Sequence, residues 1–478
     1  MKFALWFLAC IRLTSLAEIT SATFDVPAIR DLSTLETKVL QEWQPMRQIP
    51  GVKQKLIEIT ICEWWPGQKV RLPVTLCAPD SPKSCENVLV TNMGLGLKPA
   101  LPAGAELELL TQYGVGIVMV GMGTIDGMAP KGNLHLGMKE QLLKTKDARF
   151  TPAWIWGMSD MRALTATFAE STVFKPKKVL VTGGSKRGVG AAICGIHDDR
   201  FTCIMPFVAP ILGNPGGAYV RGSALHEEQA QNAVFLTCLP KALPATAKDA
   251  LEKREQTRLD QSITSEQALA AGWTHAEMLR MNDEAWNVCR IAKHIGAVKQ
   301  RGLEFFYHVG SNDNVCPALH ELGESQPDFP LYILPGGQHG GPKSSGYTRQ
   351  TPTQPEASEN LVAMARHHFF GHRSLPPSPK LDLQRKGSHL HITVTFSKTS
   401  LPQHSVLSWS VNRHAPYTFA FEYDSWNSMP LTAHAEGVFT ADLAVPAEAQ
   451  TIDFISTHTH EENGIPFHFS SPYRRWSR

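Results

Sequence analysis

The sequence predicts an α/β fold in which a doubly wound, mostly parallel sheet carries helices on both faces, a helical insertion interrupts it, and a β-sandwich-like region follows. Three observations carry that prediction. Short apolar runs bounded by Gly, Pro or Asn alternate with segments of helical period between Asn87 and Phe370, which is how strands buried on both faces and their crossover helices read. Residues 213–300 break the alternation with a long stretch rich in Ala, Glu, Gln and Lys, too long for a loop. Beyond the Pro-rich segment 375–379 the helical period disappears and strand-like runs follow closely on one another.

Taken in order, residues 1–22 read as a secretory signal peptide. Met1-Lys2 precedes an apolar run from Phe3 to Ile11, then Arg12, then small residues at Ser15-Leu16-Ala17 and Thr20-Ser21-Ala22 where cleavage would fall. The expected location is therefore secreted or periplasmic. Residues 23–374 form the α/β domain. Lys55 to Cys62 and Lys69 to Pro79 are β-rich, and Pro66-Gly67 between them predicts an antiparallel pair. Strands follow at Asn87–Asn92, Gly116–Met122, Lys178–Thr182, Cys203–Ala209, Glu304–Val309 and Leu331–Leu334. Helical patterns lie between and after them at Ala100–Tyr113, Gly157–Glu170, Lys186–His197, Cys316–Leu322 and Glu356–Phe370. The insertion 213–300 reads as a mostly helical lid over the C-terminal edge of the sheet. Residues 375–379 form a stiff linker, and 380–478 offer six strand candidates: His389–Phe396, Ser405–Val411, Tyr417–Tyr423, Gly437–Leu443, Thr451–Ser456 and Pro466–Ser470.

Composition narrows the function. In 478 residues, 42% hydrophobic and 19% charged, 46 Lys and Arg face 44 Asp and Glu for a net charge of +2. That balance supplies no basic footprint for phosphate backbones, so no nucleic-acid partner is expected. No run after the signal approaches the roughly 18 apolar residues of a membrane span. With Cys10 removed, eight cysteines remain (Cys62, Cys77, Cys85, Cys194, Cys203, Cys238, Cys289 and Cys316), an even number that suits an oxidising compartment. Cys77 and Cys85 flank the turn-rich Ala78 to Pro82 and could staple a hairpin; free core thiols are the alternative. No Cys or His cluster has zinc spacing, so neither metal nor cofactor is expected.

The chemistry concentrates where Val179-Leu180-Val181-Thr182 runs into Gly183-Gly184-Ser185-Lys186-Arg187-Gly188 and a helix. A serine on so sharp a strand-to-helix turn needs small neighbours, and the helix start offers amides and a positive dipole end to an oxyanion. The Lys186 amide is the first candidate donor, and Met93 or Gly94, in the loop after the third strand, the second. A phosphate loop would require Gly-Lys-Ser or Gly-Lys-Thr at its end, which is absent. The nucleophile needs a base and an orienting acid in the chain order Ser, Asp, His. Asp313 lies in the turn Gly310-Ser311-Asn312-Asp313 after one strand, and His339 in Pro335-Gly336-Gly337-Gln338-His339 after the next. All three residues leave the same edge of the sheet. Arg187 could hold a substrate carboxylate or cap the elbow's surroundings. Trp64-Trp65, Trp154 and Trp156 could line a carbohydrate wall but read first as packing, and Asp126 as a turn residue.

With these residues in view, the sequence resembles the PhoPQ-activated pathogenicity-related proteins of the α/β-hydrolase superfamily. The resemblance rests on Val181 to Gly188, close to the family's G-x-S-K-R-G elbow, on His197-Asp198-Asp199-Arg200 and the strand ending at Pro206, on the Gly310 to Asp313 turn, and on Pro335 to His339. It covers roughly Ile57 to Phe370. It departs at Val189-Gly190-Ala191, where the family has a Trp and a Thr-rich helix start, and at Pro210 to Gly217, which replaces an aromatic-rich segment. The resemblance implies an α/β-hydrolase fold, a signal peptide and a β-rich C-terminal domain. It transfers no substrate.

The residues together predict a serine hydrolase that cleaves an ester or amide through an acyl-enzyme on Ser185, with His339 moving the proton and Asp313 fixing the imidazole. Carboxylesterase or carbohydrate esterase activity is favoured. A secreted aminopeptidase related to prolyl peptidases is the second reading, because the Gly310 to Asp313 turn suits those enzymes too. A signalling or interaction protein on a hydrolase fold is the non-enzymatic one. The expected partner is a small-molecule, glycan-ester or peptide substrate; oligomeric state is not legible.

Overall fold

The structure, a computed structural model, describes residues 23–92, 99–122, 134–212, 220–221, 263–313, 315–316, 318–339, 355–372, 374–397, 401–414, 419–422 and 424–478. The signal-peptide expectation, Asp126 and most of the first half of the insertion lie outside these residues.

Ten strands make the central sheet. In chain order these are β1 (Lys38–Pro45), β2 (Val52–Trp65), β3 (Gln68–Pro79), β4 (Cys85–Asn92), β5 (Gly116–Val120), β6 (Phe174–Gly184), β7 (Cys203–Phe207), and, after the short pair β8 (Val220–Arg221) and β9 (Ile263–Thr264), β10 (Glu304–Phe305), β11 (Tyr307–Gly310) and β12 (Leu331–Leu334). Their order is β1-β2-β3-β5-β4-β6-β7-β11-β12, with β10 also on β7. β1, β2, β3 and β5 pair antiparallel, and from β5 onward every pairing is parallel. The exchange of β4 and β5 puts β4 rather than β5 beside β6. This is the mostly parallel sheet that the alternation predicted, and its order agrees with the α/β-hydrolase fold that the resemblance implied.

The parallel strands are apolar because both faces are covered. All five residues of β5 are buried, as are Val88, Leu89 and Val90 of β4. The helices before the insertion are α1 (Val26–Arg30), α2 (Ala105–Tyr113), α3 (Leu134–Thr145), α4 (Pro152–Ala169) and α5 (Lys186–His197). One face packs on α4, which starts with proline at its first position, and on α5. The other packs on α2 (Ala105–Tyr113) and the helix Pro355–Ala365. The described part of the insertion joins the first face: Met281, Ala285, Cys289 and Ile291 are buried in its core, and Trp273 donates to Leu143 O. Its helices Ser265–Ala270 and His275–Asn287 both open with capping boxes, Thr264 with Gln267 and Thr274 with Glu277. Among the described residues no helix is long and apolar enough to cross a membrane.

Beyond Ser374 come two antiparallel sheets. One is β13 (Lys380–Lys386), β14 (His389–Thr395), β18 (Val438–Ala444) and β17 (Thr432–Ala435); the other is β16 (Asn427–Pro430), β15 (His404–Val411), β19 (Thr451–Glu462) and β20 (Ile465–Ser470), with β21 (Arg474–Ser477) on β19. Their apolar residues Leu390, Ile392, Phe454 and Phe467 belong to the same buried cluster as Leu361 and Phe369.

Two expectations differ. The run Tyr417–Tyr423 is not a strand where it is described, because Phe419–Glu422 is a helical turn. The carbonyls of Glu422 and Asp424 are taken by side chains from the central sheet rather than by a ladder. Cys77 and Cys85 form no disulfide: β5 lies between their strands, so residues 80–84 close no hairpin. Cys62, Cys77, Cys85, Cys194, Cys203, Cys289 and Cys316 are free thiols, and Cys238 lies outside the described residues.

Candidate active site

Ser185 alone makes the turn from β6 to α5, with φ 57° and ψ −126°. For a residue with a Cβ this conformation costs on the order of 1–3 kcal/mol, and it persists because neighbours over-determine it. The Ser185 N–H donates to Phe207 O at 2.9 Å, and its carbonyl accepts from Val189 N–H at 3.0 Å. The displaced glycine of the elbow has a steric reason. A Cβ at Gly188 would stand 2.7 Å from Ala209 Cβ and 2.9 Å from both Phe207 O and Gly183 O, so only glycine lets α5 pass this close to β7. Val208, the residue after β7, takes φ 43° and is pinned by a bond from its N–H to His308 O of 2.8 Å.

The other two loops arrive from β11 and β12. His339 Nε2 lies 2.7 Å from Ser185 Oγ, and His339 Nδ1 lies 3.0 and 3.1 Å from the Asp313 carboxylate oxygens. Asp313 is fully buried and also accepts from Val315 N–H at 2.8 Å. Since a carboxylate only accepts, the Nδ1 proton faces Asp313 and the Nε2 lone pair is left to receive the serine proton. The structure thus brings Ser185, His339 and Asp313 into one hydrogen-bonded chain, in the order that nucleophile, base and acid require.

Lys186 is the first residue of α5, so its amide stands at the helix N-terminus beside Ser185. Met93 and Gly94 lie outside the described residues. Asn92, the last residue of β4, reaches the elbow: its Oδ1 lies 2.6 Å from where a Gly183 Cβ would be. Arg187 is half-buried, and its charge acts on Asp160 beneath the elbow. Asp160 is a residue the sequence reading passed over, a single acid in the apolar helix α4. Burial pushes its carboxyl well above the usual carboxylate range, against the pull of Arg187 and of an Asn92 Nδ2 bond of 3.4 Å, which favours the protonated acid. Its signal was a lone Asp among eighteen mostly buried helical residues.

The tryptophans pack. Trp64 donates to Arg149 O and lies 5.4 Å from Trp65, while Trp154 donates to Thr23 O and stacks on Phe24. At the opposite edge of the sheet Cys203, Glu304 and His368 place possible metal-ligand atoms within 4.8 Å of one another. There His368 already uses Nδ1 on Glu304 and Nε2 on Thr202 Oγ1, so the group stands as a hydrogen-bonded set. Asp198 of the His197 to Arg200 motif is likewise structural, paired with Arg200 at 2.6 Å and Arg30 at 2.8 Å.

Residues 151–215, from the cap of α4 through the elbow, match the model of the family described as PhoPQ-activated pathogenicity-related protein, which bears out the resemblance where its motifs are densest. No curated protein matches the chain. Among solved structures the chain is similar to a CE15 glucuronoyl esterase from Teredinibacter turnerae T7901, at 17% identity over 37% of this chain and 46% of that one, with a TM-score of 0.29. It is similar to a glucuronoyl esterase from Solibacter usitatus at 15% identity, covering 61% and 76%, with a TM-score of 0.35. An acetyl xylan esterase from Paenibacillus sp. R4 aligns at 11% identity, covering 72% and 92%, with a TM-score of 0.42.

Proposed function

We propose that this protein is an exported serine hydrolase that cleaves an ester, that of a carbohydrate or small alcohol being favoured, through an acyl-enzyme on Ser185. The observation that supports it is the unbroken chain from Ser185 Oγ through His339 to the buried Asp313, ending on a serine held at φ 57°. In this reading His339 Nε2 takes the proton as Ser185 Oγ attacks the carbonyl carbon, and Asp313 holds the ring and stabilises the imidazolium. The oxyanion is received by the Lys186 amide and by that of Met93 or Gly94. His339 then gives its proton to the leaving oxygen. Water, deprotonated by the same nitrogen, releases the acid and restores the serine. Export is supported by the sequence of residues 1–22.

A fluorophosphonate probe followed by peptide mapping tests the nucleophile, and a panel of acyl, carbohydrate-linked and aminoacyl substrates tests the class. Labelling confined to Ser185 with turnover of esters is expected. Folded protein that takes no label overturns the hydrolase, and turnover of aminoacyl amides alone would move the assignment to a peptidase.

A further inference from the structure

The side chains immediately before the acid and the base are both held from the C-terminal sheets. Asn312 precedes Asp313, and Gln338 precedes His339. Asn312 Nδ2 donates to Glu422 O at 3.3 Å and to Asp424 O at 2.8 Å, while Gln338 Nε2 donates to the same Glu422 O at 2.7 Å. One carbonyl from the C-terminal region therefore bridges the acid turn and the histidine loop.

Arg413 closes the arrangement from the other side. It follows β15, its side chain is 1% exposed, and its guanidinium lies over the rings of Phe421 and Trp426 at 4.1 and 5.1 Å. Its Nη2 donates to Ser311 O at 3.0 Å and Asn312 Oδ1 at 2.9 Å, its Nη1 to Tyr473 Oη at 2.6 Å, and its Nε faces Asp424 Oδ2 at 3.3 Å. Trp426 Nε1 at 2.9 Å and Ser311 Oγ at 3.1 Å also donate to Asn312 Oδ1. Asn312 is completely buried, and its side-chain amide has every hydrogen-bonding position occupied. Between the two loops themselves, Asn312 N–H donates to Gly337 O at 2.8 Å and Gly336 N–H to Ser311 Oγ at 2.7 Å. A peripheral module that merely carried a binding surface would not need a buried arginine whose fork is aimed at the two residues preceding Asp313.

We infer that the C-terminal β region is a working part of the site: Arg413, acting through Asn312 and the Glu422 carbonyl, positions the Asp313 turn and the His339 loop against each other. Arg413, Asn312 and Gln338 are positioning residues, and the inference deepens the hydrolase reading on which it rests. The Asp313–His339 contact is set by the docking of a region far along the chain, so a C-terminal region that is displaced leaves the serine in place and its base misdirected.

Two variants test this on the full chain. Arg413→Lys keeps a positive charge facing Asp424 but loses the planar fork; Gln338→Leu removes a single bond from a half-buried side chain and leaves the core alone, so it serves if the first does not fold. Misplacement by about 1 Å costs on the order of 10² in rate, so we expect kcat to fall by up to about 10²-fold for Arg413→Lys and about tenfold for Gln338→Leu, with KM nearly unchanged. In an Asp313→Asn background each should change kcat by less than about twofold, because the contact they position is already broken. Losses that simply add would overturn the inference. The low-field ring N–H proton of His339 facing Asp313 is read by NMR without turnover: it should be present in the wild type, absent in Asp313→Asn, and broadened or lost in both variants. An unaltered signal in the variants, or none in the wild type, overturns the inference. A wild-type chain that shows the signal but neither turnover nor probe labelling instead overturns the hydrolase reading and leaves the clamp standing.

Discussion

The central sheet and the C-terminal sheets contribute to the same site in opposite ways. In the proposed reaction the central sheet supplies every reacting group, Ser185 after β6, Asp313 after β11 and His339 after β12, each in the turn or loop that follows its strand. The described residues of the C-terminal region supply none of these groups and contribute instead two carbonyls, one guanidinium, the indole N–H of Trp426 and two aromatic faces. The difference teaches that chemistry and positioning need not come from adjacent chain: the nucleophile is fixed locally by strained backbone, whereas acid and base are fixed from a distance of about a hundred residues in sequence.

The largest expected effect isolates the chemistry on the central sheet. Ser185→Ala should lower turnover by roughly 10⁵- to 10⁶-fold and abolish probe labelling, while the melting temperature stays near the wild-type value, because alanine keeps the Cβ and with it the same backbone strain at φ 57°. Near-normal turnover would move the reaction elsewhere. Asp313→Asn comes next. It keeps the shape of the acid but turns the histidine to the wrong tautomer, and the expected loss is roughly 10⁴ in kcat. Steady-state rates on the best ester of the panel check both.

A third change attacks the approach of the two loops without touching a functional side chain. A Cβ at Gly310 would lie 2.2 Å from Gly337 O, a backbone atom with no flexible end to swing aside. Gly310→Ala should therefore drive the histidine loop off the acid turn, costing on the order of 10² in kcat and a measurable fall in melting temperature. Wild-type rates in a Gly310→Ala protein would show that the loops need not touch.

The same comparison explains what was legible in the sequence. Gly116 to Val120 reads as a strand because all five residues are buried, and Leu331 to Leu334 because both faces of the parallel sheet are covered. In the first of the C-terminal sheets only one face is covered, so β14 alternates buried residues with exposed or half-buried ones and β17 exposes all four of its residues, whereas β19 in the second sheet is buried from Ile452 to Ser456. Edge strands of that kind leave no apolar signal, and β13, β16, β17 and β21 were not anticipated. The candidate site was legible because nucleophile, base and acid each follow a buried strand. Arg413 was not, since an arginine in a polar turn carries no local mark of the asparagine it reaches about a hundred residues away. Asn312 reads in the sequence only as one residue of the turn before Asp313, and its role is to carry the fork's grip to Asp313.

The smallest effect asks whether the two regions are one folding unit. Each holds a buried histidine whose ring burial keeps neutral: His197, at the end of α5, has its pKa pushed down to about 3, with its bond to the Val288 carbonyl opposing, and His458 in β19, between Ser405 Oγ and Ser456 Oγ, is pushed down to about 3 by burial alone. Both values lie below the unfolded pKa of about 6.5, so between about pH 6.5 and 3 the unfolded chain binds more protons than the native one and stability falls as pH falls. The slope is at most about 1.4 kcal/mol per pH unit for each ring, and it levels off once the native rings protonate below about pH 3. His197→Gln and His458→Gln should each flatten the fall between about pH 6 and 4, measured as urea midpoints converted at constant m. Because Leu390, Ile392 and Phe454 share one apolar cluster with Leu361 and Phe369, and because Arg413 ties Ser311 and Asn312 to the C-terminal sheets, both variants should flatten the same single transition, and the double variant should flatten it by the sum. Two resolved transitions, one flattened by each variant, would mean that the C-terminal sheets can unfold while the central sheet stands, and turnover measured across the first of them would then report the loss of the grip on Asp313 and His339 with Ser185 still in place.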